Sequence, residues 1–321
     1  MKVVSITHGE DPDGLSCAAM LMHLKKSKVI LANYDNFEDV LQSIKPPLDE
    51  LYITDLNIRS ALVDDILRIK SFSKVLIIDH HPLTDYVNSR LQHENIIIIH
   101  DLRECAGVLL YNHLKDQLPI KAAKLAAYAA ISDMFEDGPL ASKILAHMDR
   151  KLTQHEALML THAMQYDGTY DFKFKILDRL SEFVQPHRIP GVKEAANHYL
   201  ENAAKMMESL PGRTKVMGRF GVTECSGEAS TGAVANLIMD CMGVDVGVCY
   251  KYNQDSVNIS LRGERYLMKH LGEISHKLAE GFGGFGGGHK RAAGAKIPRE
   301  CLDEFFEALS GILDNRTAFN G

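Results

Sequence analysis

No two cysteines in the chain are spaced C-x-x-C. The six that occur (Cys17, Cys105, Cys225, Cys241, Cys249 and Cys301) stand singly. That scatter argues against a cysteine-held zinc site and reads as reduced core residues of an intracellular chain. Long apolar runs are missing too: none approaches the roughly 18 residues that would span a bilayer. An excess of positive charge is also absent. The net charge is −6, which excludes a basic nucleic-acid coat. There are no internal repeats, and low complexity is confined to Gly281–Gly288. Met1 to Ile6 reads as a strand leading directly into polar residues rather than as a signal peptide, so a cytoplasmic location is expected.

What is present is ample apolar material. With 45% hydrophobic residues and 7% aromatics in 321 residues, the chain can bury two cores, and disorder is disfavoured. Charge is uneven, with residues 201–300 slightly basic and the rest acidic. Fifteen histidines is a high count. Histidine is the commonest metal ligand, although most of these are ordinary surface or helix positions.

Residues 1–135 alternate strand and helix patterns. Strands are expected at Val3–Thr7, Val29–Ala32, Leu51–Thr54, Lys74–Ile78 and Ile96–Ile99. Helices are expected at Leu15–Lys26, Glu38–Ile44 and from Ser60, as cap, to Lys70, with a loop over His8–Gly14. Apolar strands spaced by helices imply right-handed crossovers and a mostly parallel, doubly wound sheet. Residues 105–210 read as a run of helices. From Thr214 short β runs and glycine take over, with strands at Val216–Cys225, Val244–Tyr252 and Val257–Leu261 and helices at 230–242, 267–280 and 300–313. The expected organisation is α/β with an N-terminal domain over 1–165, a helical connector over 166–212 and a smaller α/β domain over 213–321. The active-site cleft is expected between the two domains.

The chemistry lies where apolar elements end. Ile77-Ile78 runs into Asp79-His80-His81, and the rim beyond the carboxyl ends of parallel strands is where open α/β sheets bind ligands. Three more acid-bearing loops follow buried elements: His8-x-x-Asp11-x-Asp13-Gly14, Ile53-Thr54-Asp55 and Ile131-Ser132-Asp133. Singly, each has a bland reading: a turn, a cap, a surface acid. Jointly, carboxylates converging at one rim repel unless cations neutralise them. Mixed carboxylate and imidazole ligation suits Mn2+, with Mg2+, Zn2+ or Co2+ as competitors. Two adjacent metals of this kind serve phosphoryl transfer by activating a water and stabilising the leaving oxygen.

A second informative stretch runs from Gly281 to Gly294 and contains Gly287-Gly288-His289-Lys290-Arg291. Glycine lets backbone approach an anion and successive N–H groups form a nest, while the following cluster adds charge; a flexible linker is the bland alternative. Ser230 and Thr231, after Gly227-Glu228-Ala229, open a helix and read first as an N-cap, with anion binding as the other reading.

Together these motifs resemble the DHH phosphoesterases with a DHHA1 C-terminal domain, from His8 to about Ala295. The resemblance implies that His8, Asp11 and Asp55 hold one metal, and that Asp13, Asp55, His80 and Asp133 hold another with Asp55 bridging. It further implies that His81 faces the scissile phosphate and that Asp79 orients a histidine ring. His289 would bind a substrate phosphate or terminal nucleotide, helped by Gly287, Gly288 and Arg291. Ser260-x-Arg262 is similar to the family's phosphate-gripping element; the bland reading pairs Arg262 with Glu264.

The implied activity is Mn2+-dependent phosphodiester hydrolysis with two ions, Mg2+ or Co2+ being substitutes. It would release nucleoside monophosphates from short oligonucleotides or single-stranded RNA or DNA, as in oligoribonucleases and short RecJ-like nucleases. At this length the chain resembles the family core without an added OB domain. The nearest alternative is hydrolysis of small nucleotides (pAp, pApA or a cyclic dinucleotide). A non-catalytic replication or repair scaffold is a further one, disfavoured because the motifs are complete. The resemblance leaves room for a replication or repair protein partner and for a homodimer, and implies no membrane association.

Overall fold

The computed structural model describes residues 2–225 and 230–314. The chain divides into two compact units, one reaching to Tyr199 and the other starting at Leu200.

The first unit contains β1 (Val3–His8), α1 (Pro12–Lys25), β2 (Lys28–Ala32), α2 (Phe37–Ser43), β3 (Glu50–Thr54), α3 (Val63–Lys70), β4 (Lys74–Asp79), α4 (Asp85–His93) and β5 (Ile97–His100). Helices α5 (Ala106–Leu114), α6 (Ala123–Ser132), α7 (Ala141–Leu145), α8 (Arg150–Tyr166), α9 (Tyr170–Ser181) and α10 (Val192–Ser209) follow, and the boundary between units falls within α10. The five strands are all parallel, in the order β2-β1-β3-β4-β5.

Both faces of this sheet are covered, which is why its strands read as unbroken apolar runs. Val4, Ile6, Leu51, Ile53, Val75 and Ile77 pack with Phe37 and Leu41 of α2, Ile66 of α3 and Leu91 of α4. Val3, Tyr52, Leu76 and Ile78 pack on the opposite face with Leu15 of α1, Leu110 of α5, Tyr128 of α6, Leu160 of α8 and Leu177 of α9. Strand order reverses at β1, which has β2 on one side and β3 on the other. In open sheets the loops that diverge at such a point leave a ligand crevice. His8, Asp55 and His80 all lie at the carboxyl ends of β1, β3 and β4.

Several local expectations are corrected. Helix α1 begins at Pro12, not Leu15, so Asp13 lies in its first turn rather than in a loop. Asp11 is the N-cap, accepting from the Gly14 N–H at 3.1 Å, and Pro12 supplies the preset φ of a first helical residue. Ser60 caps nothing; it opens a short 3-10 turn, Ser60–Leu62, ahead of α3. Helix α4 had no counterpart in the sequence reading. Its apolar face is narrow, with only Val87 and Leu91 buried.

The second unit contains β6 (Lys215–Met217), β7 (Phe220–Glu224), α11 (Thr231–Met242), β8 (Val246–Tyr252), β9 (Ser256–Gly263), α12 (Leu271–Gly281), β10 (Phe285–Gly288), β11 (Ala292–Pro298) and α13 (Leu302–Asp314). Its sheet runs β10-β11-β9-β8-β7-β6, with only β7 and β8 parallel. The stretch read as one strand over Val216–Cys225 is two, joined by a turn in which Gly218 has φ +57°. Gly227, Glu228 and Ala229 lie outside the described residues.

The second part of the glycine run is neither a flexible linker nor a free nest. Phe285–Gly288 forms an edge strand paired with β11. A Cβ on Gly286 would meet the Ser275 carbonyl oxygen at 2.5 Å, and one on Gly272 would meet the Gly288 carbonyl oxygen at 2.0 Å. These glycines let α12 lie directly on the strand backbone. Among the described residues no helix is long and apolar enough to cross a membrane.

Gly247 on β8 makes the closest approach of this kind: a Cβ there would stand 1.8 Å from the Ala235 carbonyl oxygen of α11. Gly247→Ala should therefore destabilise the protein by roughly 1–3 kcal/mol through overpacking. Urea denaturation followed by circular dichroism checks this; an unchanged midpoint would contradict it.

Candidate metal centre

The site is assembled from strand ends and one helix end. His8 closes β1, Asp11 caps α1, Asp55 follows β3, Asp79 ends β4 with His80 next to it, and Asp133 follows α6. Beneath them a buried pair of hydroxyls ties β1 to β3: the Thr54 hydroxyl donates to Thr7 Oγ1 at 2.8 Å, and the Thr7 hydroxyl donates to the Gly14 carbonyl at 2.9 Å.

Asp13 is wholly buried and accepts from the N–H groups of Ala106 (2.9 Å) and Gly107 (2.6 Å), at the N-terminus of α5. Those donors and the helix dipole stabilise a carboxylate that would otherwise be costly to bury. A Cβ on Gly107 would sit 2.8 Å from Asp13 Oδ1 and 2.6 Å from the Ala129 Cβ. Any larger residue there would force the helix off the carboxylate. Asp55 adopts φ +58°, a left-handed conformation that Asp and Asn tolerate better than other non-glycine residues. Its N–H donates to the Ile78 carbonyl at 3.0 Å, which fixes the turn against β4.

Three sets of side chains offer ligand atoms within 4.8 Å of one another: His8, Asp11 and Asp55; Asp13, Asp55, His80 and Asp133; and Asp55, Asp79, His80 and His81. Asp55 belongs to all three. His8 Nδ1 lies 2.8 Å from Asp11 Oδ2 and 3.5 Å from Asp55 Oδ2. His80 Nε2 lies 3.3 Å from Asp55 Oδ1 and 3.4 Å from Asp133 Oδ2. Asp55 Oδ2 and both ring nitrogens of His80 are buried without a hydrogen-bond partner. Buried, unpartnered acceptors of this hardness in a carboxylate–imidazole set fit a divalent cation.

The electrostatics express the same crowding. Burial, then the charges of Asp11, Asp13 and Asp55, push the Asp133 carboxyl well above the usual range. Burial and Asp55 do the same to Asp13. Burial opposes charge on His8, but Asp11 and Asp55 outweigh it and raise its pKa to about 11. Burial likewise opposes His80, which the acids led by Asp55 raise to about 9.

His81 is built differently. Its Nδ1 is 2.8 Å from Asp79 Oδ1, and its Nε2 is 2.8 Å from the Tyr34 hydroxyl. Burial pushes the Asp79 carboxyl up, but His81 and then His80 outweigh it and hold it below the ordinary value. His100 Nε2 meets the His81 carbonyl at 2.6 Å.

The expected substrate residues all lie in the second unit. Arg262 and Ser260 sit on β9, Gly287 and Gly288 on β10, and His289 and Arg291 in the connection to β11. Register places Gly287 opposite Gly294, and Gly294 opposite Ser260. Ser260 Oγ lies 2.7 Å from Thr231 Oγ1 at the start of α11. The Arg262 guanidinium donates to the Leu261 carbonyl at 2.9 Å and lies over Gly232, where a Cβ would be 2.4 Å from it. His289 contributes its backbone, donating to Ala292 and accepting from Gly272. Arg291 accepts at its carbonyl from the Gly263 N–H.

Comparison with known proteins places the chain in a family. Residues 2–132 match the DHH family, N-terminal domain, and residues 223–315 match the DHHA1 domain. The chain is a DHH-family protein with a DHHA1 domain. Members of the DHH family are phosphoester hydrolases. Solved structures share the fold. The DHH domain of a protein described as a member of a family of ribosomal proteins is 18% identical, with TM-score 0.71 over 98% of this chain and 87% of that one. The pGpG-specific phosphodiesterase PggH from Vibrio cholerae is 14% identical, with TM-score 0.59 over 98% of this chain and 99% of that one. RecJ from Thermus thermophilus in complex with Mn2+ is 16% identical, with TM-score 0.63 over 97% of this chain but only 52% of that one. No curated protein matches the sequence.

Three features of the DHH domain escaped the sequence reading. Tyr34 follows β2, whose end shares the rim with β1, and that adjacency is the signal that would have found it. Gly107 and Ala106 act through the backbone, which composition does not disclose. Glu104, fully buried, accepts from the N–H groups of Leu140 and Ala141 and so secures the segment beyond Asp133.

Metal-free protein should lose stability as pH rises from 6.5 toward 9. His80, with folded pKa about 9, and His8, about 11, give stabilisation that is complete below their ordinary 6.5 and is lost as pH climbs through the raised values. The raised acids Asp13 and Asp133 act in the same direction. Mn2+ binds the deprotonated ligands, so its stabilising shift should grow over the same range. Thermal melts in EDTA and in Mn2+ check this; a metal-free Tm that rises with pH would contradict it.

Proposed function

We propose that the protein is a divalent-metal-dependent phosphodiesterase that releases nucleoside monophosphates from short oligonucleotides. The observation that carries this reading is Asp55, shared by every ligand set, with one carboxylate oxygen buried and unpartnered. One ion would be held by His8, Asp11 and Asp55, and a second by Asp13, Asp55, His80 and Asp133, with Mn2+ the best match to the donors. Such a pair of ions supplies an activated water and Lewis-acid stabilisation of the phosphate oxygens.

The protein's own residues do the rest. Asp79 holds the His81 ring by its Nδ1, and His81 donates to the phosphate. Arg262, Ser260 and the Gly287-Gly288-His289 segment with Arg291 bind the phosphate of the terminal nucleotide. Arg262 suits this because its fork of donors matches phosphate geometry, and its lowered pKa, caused by burial, reflects a guanidinium partly stripped of water. A second reading, hydrolysis of small nucleotides such as pAp, pApA or a cyclic dinucleotide, uses the same groups. Its support is that the chain shares its fold with a pGpG-specific phosphodiesterase over 99% of that protein.

The decisive assay is release of mononucleotides from end-labelled five-nucleotide RNA and DNA with Mn2+, with pAp as competitor. Turnover of the oligomers is expected, and none on any oligonucleotide would reject the reading. The two adjacent histidines should separate. His80→Ala should lose Mn2+ by isothermal titration. His81→Ala should keep both ions while kcat falls roughly 10²- to 10⁴-fold.

A further inference from the structure

Tyr34 stands at the rim of the metal centre, beside His8 and His81. Its loop is built to hold it there. Asn33 Oδ1 accepts from the N–H groups of Asp35 and Asn36 at 3.1 Å each, and Asn36 Oδ1 accepts from the Asn33 N–H at 2.9 Å. These paired side-chain caps fix the turn without any regular element. From it the Tyr34 ring reaches across two elements of the site: its centroid is 5.4 Å from that of His8 and 5.9 Å from that of His81.

The hydroxyl lies 2.8 Å from His81 Nε2. Orientation of the His81 ring does not require this contact, because Asp79 already holds Nδ1 at 2.8 Å. Nor is Tyr34 a core residue whose hydroxyl merely needs a partner, since 42% of it is exposed. A phenol is neutral at ordinary pH, so its hydroxyl is an O–H donor among the surrounding carboxylates. When Nε2 is protonated, an anion brought to this edge can replace the hydroxyl as the partner of the Nε2–H, which leaves the phenol O–H free to donate as well. An anion brought alongside His81 Nε2 therefore meets a second donor beside the first.

We propose that Tyr34 is a substrate-contacting residue whose hydroxyl donates, alongside His81, to the oxygens of the phosphate being cleaved. The inference rests on the phosphodiesterase reading above and adds a donor to it from the β2–α2 loop. Removal of the hydroxyl alone should cost one hydrogen bond to a charged group, while the ring keeps its packing on His8.

The test compares wild type with Tyr34→Phe and Tyr34→Ala, each purified with Mn2+. Three quantities are measured: kcat/KM on five-nucleotide RNA, the affinity of AMP and inorganic phosphate as competitive inhibitors, and Mn2+ affinity by isothermal titration. Tyr34→Phe should lower kcat/KM roughly 10- to 100-fold and weaken both inhibitors, with Mn2+ affinity and Tm unchanged. Tyr34→Ala should lower kcat/KM at least as far. Wild-type kinetics and inhibitor affinities in Tyr34→Phe would overturn the role of Tyr34 alone. So would a loss of activity that tracks a loss of Mn2+ affinity, because that would make the residue a support of the ligands. No hydrolysis by the wild type would overturn the underlying reading instead.

Discussion

The constraint on which the rest of the structure depends is the burial of several carboxylates around one atom group, the Asp55 side chain. Packing Asp11, Asp13, Asp55 and Asp133 together is unfavourable by Coulomb repulsion and by desolvation. The fold answers with fixed partial charges: the N–H groups at the start of α5 on Asp13, the Gly14 N–H on the N-cap Asp11, and imidazoles between the acids. What those groups leave over is a set of unpartnered ligand atoms. The site is unfavourable by itself and complementary to a cation, the usual relation between stability and function at such centres.

Close backbone approach is what allows this. Gly14 lets α1 start against the end of β1, where a Cβ would be 2.0 Å from the His8 carbonyl oxygen. Gly107 lets α5 donate to Asp13. Asp55 itself takes a left-handed turn that costs about 1–2 kcal/mol for an ordinary residue. Each concession brings a polar group to the switch point of the sheet at β1, which has β2 on one side and β3 on the other. The DHHA1 domain uses glycine in the same way for another purpose. Gly272 and Gly286 let α12 and β10 meet, while Gly232 leaves room for the Arg262 guanidinium beside α11.

Much of this was legible in the residues. Period and length disclosed the parallel strands, because strands covered on both faces must be apolar throughout. Acids directly after such strands announced the rim, and their number announced a cation. The misses have physical causes as well. Helix α4 buries only two side chains, so its periodicity is faint. The strand β10 is almost all glycine, and a run without side chains carries no alternation from which a strand could be read. Ser60 looked like a cap, but the backbone there turns as a 3-10 segment before the helix begins.

The sequence by itself determined the elements with a clear burial pattern, the parallel strands above all, and which residue types end them, since burial pattern and hydrogen-bonding capacity are local properties. It thereby determined the candidate ligands His8, Asp11, Asp13, Asp55, His80 and Asp133. Only the tertiary structure decided that Asp13 is held by the start of α5 and that His81 stands between Asp79 and Tyr34. The Tyr34–His81 and Asp13–Gly107 contacts join residues 47 and 94 positions apart. No local pattern encodes a distance of that kind, because it is fixed by strand order and by how closely two backbones can pack.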